Sequence, residues 1–141
     1  PSGETRQITS GLNNFTRSSL TADGSTLLAV THEEQFGIWL APAERPDEAR
    51  QLTSGTDKGD GTSGLVWLPD GRILFPSYIA RNSFDLWTMN ADGSNLKRFT
   101  TGWETFSPTV TPDGRYVIFT AIRNGRFEIW RMDADGNNAS N

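Results

Sequence analysis

The chain has 141 residues, 35% of them hydrophobic, and its 13 Lys and Arg against 17 Asp and Glu give a formal net charge of -4 at pH 7. This length suits a single domain, and the acidic balance argues against nucleic-acid partners, which reward a basic surface. Without cysteine the chain can form neither disulfides nor zinc–thiolate sites, and no apolar run reaches the roughly 20 residues that span a bilayer. We therefore expect no nucleic-acid partner and no membrane insertion.

The first residues carry no start or targeting signal. The chain begins at Pro1 without an initiator Met, and residues 1–5 have neither the basic nor the apolar region of a signal peptide. We therefore expect an excised piece of a longer or processed parent chain. The stretch Thr5-Arg6-Gln7-Ile8-Thr9 predicts a single β-strand with no blade of its own in front of it.

Three short landmarks recur along the chain and define an internal repeat. They are a polar residue followed by a large apolar residue and Thr, an Asp-Gly turn, and an apolar residue followed by Trp. They stand at Gln7-Ile8-Thr9, Gln51-Leu52-Thr53 and Arg98-Phe99-Thr100, at Asp23-Gly24, Asp70-Gly71 and Asp113-Gly114, and at Ile38-Trp39, Leu86-Trp87 and Ile129-Trp130. Successive Asp-Gly turns lie 47 and 43 residues apart, close to the ~40–45 residues of a four-stranded propeller blade.

Each repeat predicts four antiparallel strands, so the expected fold class is all-β, built from propeller blades. The predicted boundaries are 10–53, 54–100 and 101–141, with residues 1–9 as an extra outermost strand and the third repeat lacking its own. Propellers typically have 4–8 blades, so we expect two chains to form a six-bladed homodimer by strand exchange. In this dimer, residues Thr5, Arg6, Gln7, Ile8 and Thr9 of one copy pair with Phe127, Ile129 and Arg131 of the other.

The repeats resemble the TolB-like, WD-type β-propeller family over essentially the whole chain. The residues that carry the resemblance in the second and third repeats are Pro69-Asp70-Gly71-Arg72, Leu86-Trp87, Met89-Asn90-Ala91-Asp92-Gly93, Ser107-Pro108, Pro112-Asp113-Gly114-Arg115, Ile129-Trp130 and Met132-Asp133-Ala134-Asp135-Gly136. The first repeat is weaker, because Pro42 to Glu48 lacks the Ala-Asp-Gly turn. The resemblance implies a binding platform, of the kind found in bacterial periplasmic transport-linked proteins, in sensor regions of kinases and beside peptidases.

The sequence gives no pattern for catalysis, a cofactor or a metal site. The Asp-rich turn at Asp133 to Gly136 could suggest calcium, but no Glu follows at the twelfth position of an EF-hand loop, and Asp-Gly turns need no metal. His32 is the only histidine, and no Gly-x-Ser-x-Gly nucleophile motif occurs. We therefore expect a protein that is not an enzyme and has no catalytic residues, no cofactor and no metal.

A candidate binding face follows from the predicted strand order. In a four-stranded blade the fourth-to-first and second-to-third connections emerge on the same face, and loops on a rigid scaffold often carry recognition. The candidate residues on this face are Asn14, Phe15, Arg17, Arg81, Trp103, Glu104 and Arg123. Trp103 is either a partner anchor or a plug at the mouth of the central channel.

The expected function is a non-catalytic propeller module for protein–protein interaction or scaffolding. Its expected partners are a second copy of itself and another protein on the loop-rich face. One alternative is a small-molecule sensor or enzyme-accessory domain that binds a ligand in the central channel. Another is an excised or engineered propeller fragment without an independent function.

Overall fold

The computed structural model describes residues 14–32, 34–55, 59–79 and 83–141. The chain divides into two compact units, Pro1–Glu34 and Gln35–Asn141. The described strands are β1 (Asn14–Leu20), β2 (Leu27–His32), β3 (Trp39–Leu40), β4 (Arg50–Gln51), β5 (Val66–Trp67), β6 (Ile73–Ser77), β7 (Asp85–Met89), β8 (Lys97–Arg98), β9 (Glu104–Val110), β10 (Tyr116–Arg123) and β11 (Arg126–Asp133). The helical residues in the described ranges form one 3₁₀ turn, Pro46–Glu48, which confirms the prediction of an all-β chain.

The first unit contains an antiparallel hairpin of β1 and β2. Its register runs from Asn14 opposite His32 to Leu20 opposite Leu27. The turn between the strands is the predicted Asp-Gly turn, in which Asp23 Oδ1 accepts hydrogen bonds from the Thr21 hydroxyl at 2.5 Å and the Ser25 backbone N–H at 3.0 Å. Gly24 has φ of 70°, a conformation that glycine adopts without a steric penalty.

Hydrogen bonds from Thr21 and Ser25 lower the pKa of Asp23 from its usual 3.8 to about 2. Because the folded pKa is depressed, this carboxylate stabilises the folded chain above pH 3.8, and the contribution is lost as the pH falls towards 2. We expect the difference in unfolding midpoint between the chain and its Asp23→Asn variant to shrink over this window. Thermal unfolding followed by circular dichroism between pH 5 and pH 2 measures it, and a constant difference would contradict this role.

The second repeat forms a four-stranded antiparallel sheet in the order β5-β6-β7-β8. All five residues of β6 are buried, because both faces of this sheet are covered. Ile73 and Phe75 join a cluster with Ile38 and Met89 on one side. Leu74 lies in the cluster on the other side. A strand covered on both faces is apolar along its length instead of alternating with polar residues.

The third repeat forms a three-stranded sheet in the order β11-β10-β9. Residues of β10 alternate between buried and half-buried, and Val117, Phe119 and Ala121 pack in one cluster with Leu74 and Leu86 of the second repeat. A register shift in β9 opposite Phe119 coincides with the positive φ of 50° at Ser107, as expected for a β-bulge. This contact between the second and third sheets forms the larger part of the core.

The first repeat differs from the predicted four-stranded blade. Its strands form two separate two-stranded sheets, β1-β2 and β3-β4, which belong to different units. Ile38, next to β3, is buried in the cluster of Ile73, Phe75 and Met89, so this half of the repeat packs with the second repeat. In β2, by contrast, Leu28 is 70% exposed.

Beyond β11, Ser140 forms an isolated β-bridge with Arg131 in the third repeat, which was predicted to lack its outermost strand. Arg131 and Ser140 exchange two backbone hydrogen bonds of 2.7 Å. Thr88 and Lys97 are the corresponding antiparallel pair in the second sheet. The described sheets do not close into a ring.

Candidate functional site

The outer edge of each repeat shows how a fourth strand is held. In the second sheet, the Leu86 carbonyl accepts hydrogen bonds from the backbone N–H groups of Phe99 at 2.7 Å and Thr100 at 3.2 Å. The Leu86 N–H donates to Thr100 Oγ1 at 2.9 Å. The threonine side chain therefore takes the place of a backbone acceptor where the strand ends, and both polar groups of Leu86 are paired.

The same arrangement occurs at the edge of β3. The Ile38 carbonyl accepts from the N–H groups of Leu52 at 2.8 Å and Thr53 at 3.4 Å. The Ile38 N–H donates to Thr53 Oγ1 at 3.0 Å. The repeated apolar-Thr pair thus has one role at two places, which is to cap the residue before the repeated Trp.

Ile129 is the corresponding residue of β11, because it precedes Trp130 as Leu86 precedes Trp87. Its backbone groups point to the outer edge, since Arg131 exchanges hydrogen bonds with Ser140 on that edge and every second residue of a strand faces the same edge. Among the described residues, none caps Ile129 as Thr100 caps Leu86. The outer edge of β11 from Phe127 to Ile129, called here the open edge, is not paired with another strand among the described residues.

The side chains at the open edge are apolar and exposed. Ile129 is 65% exposed, whereas its equivalents Leu86 and Ile38 are 0% and 4% exposed, and the neighbouring Phe127 is 74% exposed. Leu86 is covered by the third repeat and Ile38 by the second. The face beside the open edge therefore presents two large apolar side chains to solvent.

Trp103, predicted as an anchor or a plug, lies in an aromatic cluster at the start of β9. Its ring centroid is 4.5 Å from that of Trp130, edge to face, and 5.9 Å from that of Phe119. The Arg123 guanidinium lies 4.7 Å from the Trp103 centroid and 5.3 Å from the Trp130 centroid. These distances suit cation–π attraction, so Arg123 and Trp103 hold each other in place, and Trp103 packs against the core.

Glu104, the first residue of β9, borders a cleft of ≈ 570 Å³ whose lining also includes Ser83, Arg98, Thr101 and Asn124. Arg98 forms an ion pair with Asp85. Ser83 donates to Asp85 Oδ2 at 2.5 Å. The cleft thus combines a paired cation, a carboxylate with no ion pair among the described residues, and neutral donors, a mixed surface that favours no single charge.

The remaining candidates of the predicted binding face are placed differently. Asn14, Phe15 and Arg17 lie in strand β1 of the first unit, not in a connecting loop as predicted. Arg81 and the predicted self-association residues Thr5, Arg6, Gln7, Ile8 and Thr9 lie outside the described residues. Trp103, Glu104 and Arg123 belong to the second unit. The binding face as a whole stays a prediction.

The Asp-rich turns use their carboxylates within the turn. Asp113 Oδ1 accepts from the Thr111 hydroxyl at 2.6 Å and from the Arg115 N–H at 3.1 Å. Asp135 Oδ1 accepts from the Asn137 N–H at 3.0 Å. Within the described ranges, acidic and histidine side chains form no group of three or more that could hold a metal ion. The turn role predicted from the sequence accounts for these carboxylates.

Sequence interpretation missed two features of this region. The first is the capping role of Thr53 and Thr100, although their similar spacing from the apolar-Trp pairs, 15 residues from Ile38 and 14 from Leu86, was a usable signal. The second is the contact of the partly exposed Arg98 with the buried side chains of Ser83 and Asp85, which nothing in the repeat pattern singles out, because the first repeat has Gly37 at the position of Asp85.

The sheets and edges together define an all-β protein with a TolB-like, propeller-related fold. A solved structure of a protein assigned as TolB from Agrobacterium tumefaciens matches it with a TM-score of 0.57 and 20% sequence identity, over 89% of this chain and 48% of that chain. The chain thus spans about half the length of that structure. No family model and no curated protein matches the sequence, so the WD-type part of the resemblance has no support. Among the described residues no helix is long and apolar enough to cross a membrane.

Proposed function

We propose that this chain is a non-catalytic β-propeller-type module for protein–protein interaction that assembles with itself through the open edge. The observation that carries the proposal is the contrast between Ile129 and its equivalents Leu86 and Ile38. All three belong to the same repeat landmark, but only Ile129 lacks both a capping threonine and a covering sheet among the described residues.

An added strand suits this edge on physical grounds. Strand addition supplies backbone hydrogen bonds along a free edge, while side-chain contacts on the sheet face give specificity. Residues 5–9 of a second copy carry the triplet Gln7-Ile8-Thr9, which has the same pattern as Gln51-Leu52-Thr53. In the proposed six-bladed homodimer, Thr9 of each copy caps Ile129 of the other, in the way that Thr53 caps Ile38.

The mass of the chain in solution tests self-assembly. We expect light scattering to give twice the mass of one chain. The Ile129→Lys variant is expected to have the mass of a single chain, because a lysine blocks both the free edge and its apolar face. Leu96→Lys is the matched control, since Leu96 is also exposed, at 45%, but lies away from the open edge.

Two results would contradict self-assembly. One is a single-chain mass for the unmodified protein throughout the micromolar range. The other is equal loss of assembly in the two lysine variants, which would point to a general effect of added charge. Deletion of residues 1–9 removes the predicted strand and leaves the open edge unchanged. The shortened chain is expected to remain folded and to have the mass of a single chain.

The cleft beside Glu104 supports a second candidate function, that of a small-molecule sensor. Its volume of ≈ 570 Å³ lies within the range of ligand pockets. A sensor is expected to show a higher unfolding midpoint with a panel of polar metabolites, and this increase should be lost in a Glu104→Ala variant. A scaffold shows no such increase.

A further inference from the structure

The cleft beside Glu104 is lined by two charged side chains that do not pair with each other. Arg98 forms its ion pair with Asp85, and the Glu104 carboxylate has no ion pair among the described residues. Arg98 uses one nitrogen, Nη2, to donate both to Asp85 and to Ser83. Its Nε and Nη1 groups have no acceptor in the part of the chain that the structure describes. The cleft therefore offers cationic donors and a separate carboxylate acceptor.

The pair of Arg98 and Asp85 is not needed to hold an outer strand. The first repeat holds its outer strand with Gln51 and Gly37 at the corresponding positions. A Cβ at Gly37 would lie 2.9 Å from Gln51 Nε2, so the glutamine side chain itself covers this position. A buried ion pair adds little net stability, because both charges lose their hydration. Such a pair is expected where a binding site needs a guanidinium at a fixed position.

The backbone of the cleft is fixed at two glycines. Asn124 and Gly125 join the paired residues Arg123 and Arg126 of a hairpin, and their φ angles of 50° and 73° are both positive, as in a type I′ turn. Gly102, in the other turn, has φ of 72°. A Cβ at Gly102 or Gly125 would meet no atom within 4 Å. A ligand can therefore approach the backbone closely at both turns.

Ile122 gives the cleft an apolar wall beside the carboxylate. It stands opposite Glu104 in the register of β10 and β9, so the two side chains lie on the same face of the sheet. Ile122 is half-buried and lines the cleft together with Glu104. A ligand whose ammonium group pairs with Glu104 would thus place its carbon chain against Ile122.

The charges of the cleft narrow the class of ligand. Asp85 compensates Arg98, so Glu104 leaves one negative charge at the cleft. A simple anion would be repelled by this charge, whereas a simple amine would leave the Nε and Nη1 donors of Arg98 unused. An amino acid uses both charged groups, since arginine binds carboxylates through two parallel N–H donors.

We infer that this cleft binds an α-amino acid with an apolar side chain. The ammonium group of the ligand pairs with Glu104, its carboxylate accepts from Nε and Nη1 of Arg98, and its side chain packs against Ile122. The inference rests on the second candidate function, that of a small-molecule sensor, because it names the ligand class of the same cleft.

The test uses the full chain, labelled with ¹⁵N, and three probes that share one branched apolar group. L-leucine carries both charges, isocaproate only the carboxylate and isoamylamine only the ammonium. We expect leucine to move the amide signals of Gly102 and Gly125 and to leave that of Gly71, which does not line the cleft, in place. Each probe with a single charge is expected to bind roughly tenfold more weakly than leucine, because one charged hydrogen-bonded contact is lost.

Two substitutions assign the contacts. Leucine is expected to bind the Glu104→Gln variant no better than isocaproate does. Arg98→Lys retains a cation beside Asp85 but removes the forked donors, so leucine is expected to bind this variant no better than isoamylamine. Glu104 is exposed, so its variant keeps the fold and tests the inference even where Arg98→Lys is unstable. Glu44→Gln is the matched control, because Glu44 is also exposed and does not line the cleft.

The outcomes separate the ligand class from the sensor function. Leucine shifts that Glu104→Gln removes and Glu44→Gln retains support both. Equal affinities for the three probes, or leucine shifts that Glu104→Gln retains, would overturn the amino-acid inference. If sorbitol moves the Gly102 and Gly125 signals and leucine does not, the result supports a sensor and overturns this ligand class. A chain whose cleft signals respond neither to these probes nor to the panel of polar metabolites contradicts both.

Discussion

Replacing Leu86 with alanine is expected to lower the free energy of unfolding by about 2–5 kcal/mol. The Leu86 side chain is fully buried and lies in the cluster that joins the second and third sheets, together with Val117 and Phe119. Alanine would remove three buried carbon atoms and leave a cavity that the flanking strands cannot fill without moving. Urea unfolding followed by tryptophan fluorescence measures the change.

Ile129→Ala is the matched control, because Ile129 occupies the same place in the third repeat and is 65% exposed. At a protein concentration where the chain is single, we expect a change within about 0.5 kcal/mol, as is usual for surface positions. At higher concentration, assembly through the open edge would bury Ile129. The loss of unfolding free energy caused by Ile129→Ala should then rise with protein concentration. If Leu86→Ala and Ile129→Ala lowered the free energy of unfolding equally in the dilute sample, the packing of these two side chains would be contradicted.

The repeat pattern was enough to predict an all-β chain and the Asp-Gly turns. These features follow from local chemistry: Asp23 and Asp113 cap their own turns, and glycine accepts the positive φ that each turn requires. The alternation along β10 is also local, because every second residue of a strand faces the same side.

The arrangement of the first repeat could not be predicted in this way. Its landmarks match those of the other repeats, but β3 and β4 have only two residues each and pack with the second repeat through Ile38. Whether two halves of a repeat form one sheet depends on contacts between distant strands, which a periodic sequence does not encode. For the same reason, the pairing of Ser140 with Arg131 was missed, since a short polar tail has little strand propensity of its own.

Replacing Arg98 with leucine is expected to destabilise the protein by roughly 3 kcal/mol. Arg98 pairs with Asp85, whose side chain is fully buried, while the Arg98 side chain is 32% exposed. Without the guanidinium, the Ser83 hydroxyl, at 2.5 Å from Asp85 Oδ2, would be the one group among the described residues left to compensate the buried charge. The effect is measured as the difference in unfolding free energy from urea titrations at neutral pH.

A double-mutant cycle shows whether the buried charge is the cause. We expect Asp85→Asn added to Arg98→Leu to recover part of the loss, because an amide costs less to bury than an unpaired carboxylate. Asp85 Oδ1 already has no hydrogen-bond partner among the described residues, so Arg98 is the main source of compensation for this group. If the double variant is no more stable than Arg98→Leu alone, the loss comes from the packing of the arginine stem and not from the charge of Asp85.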